Sequence, residues 1–295
     1  MRKRNIKNEL IIKNIGELVT CPEDGSTDEL GIIKDAGIVV KDGIIEFVGQ
    51  SSELPIDQLT DKAEIIDAEG KPILPGFIDP HTHFVFGGYR DDEFSWRLQG
   101  VPYEEIMKRG GGIVNTVEGT RNTSFQKLKE LGQMRLNSML EFGVTTVEGK
   151  TGYGLNLKTE LKQLDVMKEL NEEHPLDITM TFMGAHAFPK KYKDKPEKYV
   201  EIVIEEMLPA FKEEGGAEFC DIFCDKGAFT MEQSRKILQK ARELDFKLKI
   251  HADEIARVGV IVIVDFAVQR CPRPENGGVV CHGRFQAFHR RVAVQ

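Results

Sequence analysis

From residue 73 onward, short apolar runs alternate with longer segments in which apolar residues recur every three or four positions. This pattern predicts strands separated by helices, and parallel strands need crossover connections of this length. The predicted strands cover residues 73–79, 144–148, 178–183, 218–224 and 247–250, and the predicted helices cover residues 124–141, 157–173, 196–214 and 230–244. The alternation therefore predicts an α/β chain with a parallel sheet.

The order of these units favours a (β/α)8 barrel of the TIM type, incomplete here because the sequence supplies about five βα units. Residues 73–256 are assigned to this barrel. Residues 1–72 contain short predicted strands with turns at 41–43 and 68–70, where Asp-Gly and Glu-Gly are typical of hairpins. They predict a small N-terminal β-sandwich module.

Residues 257–295 form a tail of different composition. Residues 1–256 contain 25 Lys and 9 Arg, whereas residues 257–295 contain 6 Arg and no Lys. The strand–helix alternation also stops there. Our hypothesis is that the reading frame, or the source of the segment, changes near Arg257. Sequencing the gene across that codon tests it, and an intact frame with native expression of the tail would refute it.

Composition excludes several classes of partner. The net charge of −8 argues against nucleic acid, because a polyanion needs a basic face. No run approaches the ~20 apolar residues of a membrane helix. The five cysteines lack the close pairing of a disulfide framework. We therefore expect a cytoplasmic protein that acts on a small molecule, without nucleic acid or membrane partners.

Three histidines stand at the ends of predicted strands. His81 and His83 are two positions apart after the first strand, so both imidazoles point to the same side. His251 follows the fifth strand. Since barrel active sites lie at the carboxyl ends of the strands, the three rings can meet around one cation, and neutral imidazole suits zinc or iron. The alternatives are a chance surface pair and a hydrogen-bonded core histidine.

Two further candidates concern proton transfer and substrate contact. Glu254, on the loop after His251, can act as a general acid or base beside a metal-activated water, and Asp253 is the weaker candidate. A solvated loop glutamate is the alternative. His186 ends the third strand and is interpreted as a substrate contact, with metal ligand and core residue as alternatives. The fourth strand offers no lysine before Lys226 to bridge two ions, so one metal is expected.

Loop residues complete the candidate set. Tyr153 lies between glycines, and the planar guanidinium of Arg90 suits bidentate binding of a carboxylate. A plain turn and a surface salt bridge are the respective alternatives. Residues 110–113 are interpreted as a flexible active-site loop, because they lack the context of a phosphate-binding loop. Cys220 and Cys224 are interpreted as buried small apolar side chains rather than as zinc ligands.

These motifs resemble known families. L-P-G-F-I-D-P-H-T-H resembles the first-strand signature of the amidohydrolase superfamily of metal-dependent hydrolases. The ordered set F-G-G-Y-R, G-G-G-I, K-T-G-Y-G-L, F-M-G-A-H-A-F-P and K-I-H-A-D-E-I is similar to the imidazolonepropionase family in particular. The resemblance covers about residues 8–256.

The resemblance implies a distorted (β/α)8 barrel, a β-sandwich made from both chain ends, one zinc or iron ion, and a homodimer in full-length relatives. Carried over residue by residue, it implies metal ligands at His81, His83 and His251, substrate contacts at Arg90, Tyr153 and His186, and substrate binding with proton transfer at Glu254. The implied reaction is hydrolysis of 4-imidazolone-5-propanoate to N-formimidoyl-L-glutamate, in L-histidine degradation.

The sequence departs from this family after residue 256. Family members continue with three more barrel strands, which supply another histidine and a metal-ligating aspartate. Asp265 follows His251 too closely for a helical crossover of normal length. Five strands cannot close an eight-stranded barrel, and open edges favour aggregation, so we expect the chain alone to be poorly soluble or inactive. Two alternatives remain: a nucleobase deaminase of the same superfamily, and an inactive fragment.

Overall fold

The computed structural model describes residues 9–22, 30–56, 63–101, 105–106 and 111–256. The predictions made for Asp265 and for the tail from 257 to 295 lie outside these residues. Contacts divide the chain into two compact units. Among the described residues, the first unit contains those up to Ile78 together with Glu141–Thr145, and the second contains Asp79–Leu140 and those from Thr146 onward.

A four-stranded sheet organises the first unit. Its strands are β1 (Glu9–Val19), β2 (Ile32–Lys41), β3 (Ile44–Gln50) and β4 (Glu64–Asp67), in the order β3-β2-β1-β4. β1 is antiparallel to β2 and parallel to β4, and β2 is antiparallel to β3. One face buries an apolar cluster of Ile12, Ile15, Leu18, Ala36, Ile38 and Ala68. Burial of this face is what stabilises the pairing.

Of the two predicted hairpin turns, one is confirmed and one is wrong. Asp42 and Gly43 have φ of 50° and 81° and join the antiparallel strands β2 and β3, as in a type I′ turn. Residues 68–70 do not reverse the chain into a hairpin. β4 before the turn is parallel to β1. After the turn the chain continues in the same direction alongside β1, where Ile73 forms a parallel bridge with Leu18.

A second sheet contains six strands. These are β5 (Phe77–Thr82), β6 (Val144–Lys150), β7 (Asp177–Ala185), β8 (Ala217–Cys224), β9 (Lys247–Leu248) and β10 (His251–Ala252). The order is β10-β8-β7-β6-β5, with β9 also beside β8. The pairs from β6 through β10 are parallel. Since neighbours follow chain order, the sheet is wound in one direction, whereas a doubly wound sheet would reverse at a switch point.

Helices connect these strands. They are α1 (Asp91–Leu98), α2 (Ile113–Asn122), α3 (Phe125–Glu141), α4 (Leu157–Glu173), α5 (Pro196–Ile202), α6 (Leu208–Glu214) and α7 (Met231–Glu243), with a π-helical turn at Val203–Met207 and 3₁₀ turns at Ser51–Glu53 and Lys190–Tyr192. No helix in the described ranges is long and apolar enough to cross a membrane.

Side-chain caps explain why the later helices begin where the sequence predicts. Ser124 Oγ accepts a hydrogen bond from the Lys127 amide before α3. Thr230 and Gln233 form a reciprocal capping box before α7. Each cap satisfies amide groups that have no partner inside the helix. The predicted bounds of α3, α4 and α7 are therefore confirmed to within one residue.

Three local predictions need correction. Residues 110–113 are not wholly a loop, because Ile113 begins α2 and Gly112, with φ of 74°, precedes it as the N-cap. The predicted fifth strand is split into β9 and β10, so His251 lies within a strand, beside Phe223 of β8. The first barrel strand also shifts toward the C-terminus and ends at Thr82, which places His81 inside β5.

The buried face of α3 provides a test of core packing. Leu136 is fully buried, whereas Met134 on the same helix is 50% exposed. We expect Leu136→Ala to lower the free energy of unfolding by about 2–5 kcal/mol, because it removes buried surface and leaves a cavity. Met134→Ala is the matched control and should change it by less than about 0.5 kcal/mol. Urea denaturation measures both, and equal effects would contradict this packing.

Candidate active site

His81 and His251 meet at the ends of two strands that are far apart in the sequence. Nε2 of His251 lies 2.9 Å from Nδ1 and 3.2 Å from Nε2 of His81. The rings are edge-to-face, with centroids 4.3 Å apart. The structure therefore brings together two of the three predicted metal ligands.

His83 lies deeper, between the other imidazoles and the tyrosine. Its ring centroid is 5.8 Å from that of His81 and 4.9 Å from that of Tyr153, and it stacks on His186 at 4.8 Å. Its Nδ1 is buried, and no described residue forms a hydrogen bond with it. A buried nitrogen without a partner is costly, so this atom calls for a bound group that the described residues do not provide.

His186 has a defined hydrogen-bond direction. Its Nδ1 lies 3.0 Å from the carbonyl oxygen of Gly152, which can only accept, so Nδ1 carries the proton in the neutral ring. Nε2 of His186 is then an acceptor. Tyr153 lies beside it at a centroid distance of 5.3 Å.

The environment lowers the pKa values of His81, His83 and His186. Burial lowers the pKa of His83 well below its ordinary value, and the neighbouring His186 and His81 lower it further. Burial likewise lowers the pKa of His186 to about 4. The pKa of His81 falls to about 4, because its ring is partly withdrawn from water and faces His251 and Lys150. Neutral imidazoles offer the lone pairs that a metal ion needs.

The donor set fits a zinc or iron ion, although no three His, Cys, Asp or Glu side chains of the described part of the chain already converge as a group that could hold one. The Nε2 atoms of His81 and His251 are 3.2 Å apart. Two nitrogens bound at about 2.0–2.1 Å to one tetrahedral zinc are roughly 3.3 Å apart. The spacing of these two nitrogens and the unpartnered Nδ1 of His83 are thus both compatible with a metal ion bound by imidazoles.

A buried charge network supports the histidine pair. Lys150 Nζ donates to Glu148 Oε1 at 2.5 Å and to Asp221 Oδ2 at 2.7 Å, and all three side chains are buried. Lys249 pairs with the other oxygen of Glu148. Asp221 Oδ1 lies 3.0 Å from Nδ1 of His251. Ionic contacts thus run from the centre of the sheet to the candidate site.

Neighbouring groups in this network stabilise the ionised form of Asp221. Burial alone would raise the pKa of Asp221, but the hydrogen bond from His251 and the positive charge of Lys150 outweigh it and hold that pKa well below its usual range. Asp221 is therefore ionised at neutral pH. An ionised carboxylate is a strong acceptor for a ring N–H.

Sequence reasoning missed Glu148, Lys150 and Asp221. A signal was available, since Glu148 and Lys150 are two positions apart on a strand and Asp221 interrupts an apolar run. Ionisable residues in such runs are rarely buried unless they are paired. Cys220 and Cys224 in the same run are buried, as predicted, and burial raises the pKa of the Cys220 thiol.

A buried carboxylate shapes the loop that carries Tyr153. Glu160 of α4 is fully buried and accepts hydrogen bonds from the amides of Gly152, Gly154 and Leu155, at 2.9, 2.8 and 2.7 Å. Arg121 binds the carbonyl oxygens of Gly154 and Leu155 from the other side. The loop is therefore held in one conformation, with Tyr153 against the imidazoles.

Arg90 and Glu254 are not brought into contact with the histidines. Arg90 precedes α1, and its guanidinium lies 3.9 Å from the carboxylate of Glu93. Glu254 is exposed on the turn after β10. Asp225 fixes that turn by accepting hydrogen bonds from the amides of residues 254, 255 and 256.

The loop around Tyr153 generates a prediction. Glu160→Ala should leave three amides without their acceptor and speed the hydrogen exchange of Gly152, Gly154 and Leu155, since a lost buried partner costs about 1–3 kcal/mol per group. Glu172→Ala, at an exposed position of the same helix, is the control. Hydrogen exchange measured by mass spectrometry or NMR would contradict this account if the two variants protected the loop equally.

The chain is similar in sequence to known proteins. A model of the amidohydrolase family matches residues 73–267. The chain is 51% identical over 258 residues to an imidazolonepropionase from Clostridium tetani, covering 86% of this chain and 62% of the relative. It is 48% identical over 257 residues to an imidazolonepropionase from Parabacteroides distasonis, covering 85% and 62%. The chain thus spans about 62% of the length of these relatives.

Solved structures share the fold at low sequence identity. A triazine hydrolase from Arthobacter aurescens superposes with a TM-score of 0.53 at 18% identity, over 84% of this chain and 53% of that chain. The guanine deaminase of E. coli gives a TM-score of 0.54 at 15% identity, with the same coverage of both chains. These likenesses concern the fold alone. The amidohydrolase family model matches more than half of this chain, so the chain belongs to the amidohydrolase family.

Proposed function

We propose that this chain carries the metal-binding part of an imidazolonepropionase, which hydrolyses 4-imidazolone-5-propanoate to N-formimidoyl-L-glutamate in L-histidine degradation. The observation that carries the proposal is the meeting of His81 and His251, whose Nε2 atoms are 3.2 Å apart although they come from the first and last strands of the sheet. The identity of 51% to the Clostridium tetani imidazolonepropionase supports this substrate.

In this proposal His81, His83 and His251 hold one zinc or iron ion. When bound, such an ion supplies Lewis acidity and a water that ionises near neutral pH. The chain's own contribution is to keep His81 and His83 neutral and to bring the three imidazoles close together. The depressed pKa values of His81 and His83 support it, because neither ring then competes for a proton at neutral pH.

The substrate would lie against Tyr153 and His186. Nε2 of His186, left as an acceptor by the bond from Nδ1 to Gly152, can bind an N–H group of the imidazolone ring. Arg90 would bind the propionate carboxylate, for which it must leave its long contact with Glu93. Such fixation of both ends of a small substrate lowers the barrier by orientation.

Glu254 would move the proton. It follows His251 by three residues on a turn fixed by Asp225, so its carboxylate is close in the chain to the ligand set but exposed to solvent. We propose that it takes a proton from the attacking water and returns it to the leaving ring nitrogen.

We further propose that residues 73–256 supply the first five units of a (β/α)8 barrel, that residues 1–72 form a separate small β module, and that residues 257–295 are an atypical tail. The one-directional sheet from β5 to β10 supports the barrel. Within the described residues this sheet ends at β10, and because five units cannot close an eight-stranded barrel, we expect the chain alone to be a poor catalyst.

Turnover tests the proposed reaction. We expect no measurable hydrolysis of the imidazolone by this chain alone. A chimera of residues 1–256 with the remaining part of the Clostridium tetani relative should restore it, because that part would supply the strands needed to close the barrel. His186→Ala in the chimera should lower kcat/KM by roughly tenfold or more, since one positioning contact is lost. A folded chimera that hydrolyses guanine but not the imidazolone would overturn the proposal.

Metal content tests the ligand set without any need for turnover. We expect the purified chain to retain up to one equivalent of zinc or iron after dialysis, and His81→Ala or His251→Ala to abolish it. His174→Gln is the matched control, because His174 bonds to Asn137 away from these histidines. Elemental analysis gives the stoichiometry. Equal metal content in all the variants would contradict the assignment.

A further inference from the structure

We propose that Asp221 is a positioning residue that holds the ring proton of His251 on Nδ1, and so keeps the Nε2 lone pair free for the metal ion. This inference rests on the proposed function, since it concerns the ion that His251 would bind. It adds a role for a residue that touches neither the substrate nor the ion.

The geometry around His251 defines the roles of its two nitrogens. Nδ1 lies 3.0 Å from Oδ1 of Asp221, and Nε2 faces His81. A carboxylate only accepts, so Nδ1 must donate. In a neutral imidazole the other nitrogen then carries the lone pair, and that nitrogen is the one aimed at the predicted partner ligand.

Asp221 is itself fixed in orientation. Its side chain is fully buried, and the amide of Ile222 donates to the same Oδ1 at 2.8 Å. The second oxygen, Oδ2, accepts from Lys150 Nζ at 2.7 Å. With donors on both oxygens, the carboxylate cannot rotate away from His251 without breaking buried hydrogen bonds.

A different explanation is that Asp221 only neutralises Lys150. Lys150 is buried between Glu148 and Asp221, and a buried cation needs such partners. The two explanations differ in one respect. If Asp221 only neutralises Lys150, removing both charges together should leave zinc binding unaffected. If Asp221 positions His251, an acceptor atom must remain beside Nδ1 of His251.

Two charge-balanced double variants separate these explanations. In D221N/K150M both charges are absent. The backbone N–H of Ile222 still donates to position Oδ1, so the side-chain oxygen of the new asparagine should occupy that position and accept from Nδ1 of His251. In D221L/K150M both charges are again absent and no acceptor remains. The variants therefore differ only in the group that faces the imidazole, and Glu148 keeps Lys249 and Thr181 in both.

Zinc affinity, measured on the full chain by competition with a chelator, is the first readout. We expect D221L/K150M to bind zinc roughly 10–100-fold more weakly than D221N/K150M, the range typical when the partner of a metal-bound histidine is lost. Equal zinc affinity of the two variants would overturn the proposal. Circular dichroism melts establish that both variants are folded.

The tautomer of His251 in metal-free protein is the second readout, by ¹⁵N NMR of labelled histidine. The Nδ1–H form should dominate in the unmodified chain and in D221N/K150M, and a mixture should appear in D221L/K150M. The same mixture in all three would overturn the proposal. If the tautomers differ as expected but no protein binds zinc, the proposed metal site fails while the role of Asp221 on the His251 proton stands.

Discussion

The buried salt bridge of Lys150 with Glu148 and Asp221 is the interaction on which the rest of the site depends. The three side chains are almost fully buried and come from two strands, β6 and β8. Thr181 of β7 donates a hydrogen bond from its hydroxyl to the carboxylate of Glu148. Loss of one partner of such a pair typically costs about 3–5 kcal/mol, because an uncompensated charge stays buried. The register of the sheet centre is therefore tied to these contacts.

From this centre the structure leads outward to the chemistry. Asp221 contacts both Lys150 and His251, and His251 contacts His81, so one chain of hydrogen bonds links the core to the strand ends. A second, separate framework holds the loop of Tyr153 through Glu160. Side chains carried on supported strands are positioned more precisely than side chains on loops alone. In this fold the active site lies at the carboxyl ends of such strands.

Much of this arrangement could be predicted from the sequence. The bounds of α4 and the parallel order of the strands follow from apolar periodicity, and the approach of His81 to His251 follows from their positions at strand ends. The helices α1 and α2 could not, because α1 exposes apolar residues and α2 is rich in β-branched residues. The Lys150–Asp221 pair joins residues far apart in sequence, and only tertiary structure shows it.

The central proposal for this molecule is that imidazoles from β5 and β10 bind one metal ion. X-ray absorption spectroscopy of the zinc-loaded chain tests this most directly, because it reports the identity and distance of the atoms around the metal. We expect a first shell dominated by imidazole nitrogens at about 2.0–2.1 Å, with the outer-shell scattering of histidine rings. A shell of sulfur at about 2.3 Å, or of oxygen without imidazole scattering, would contradict it.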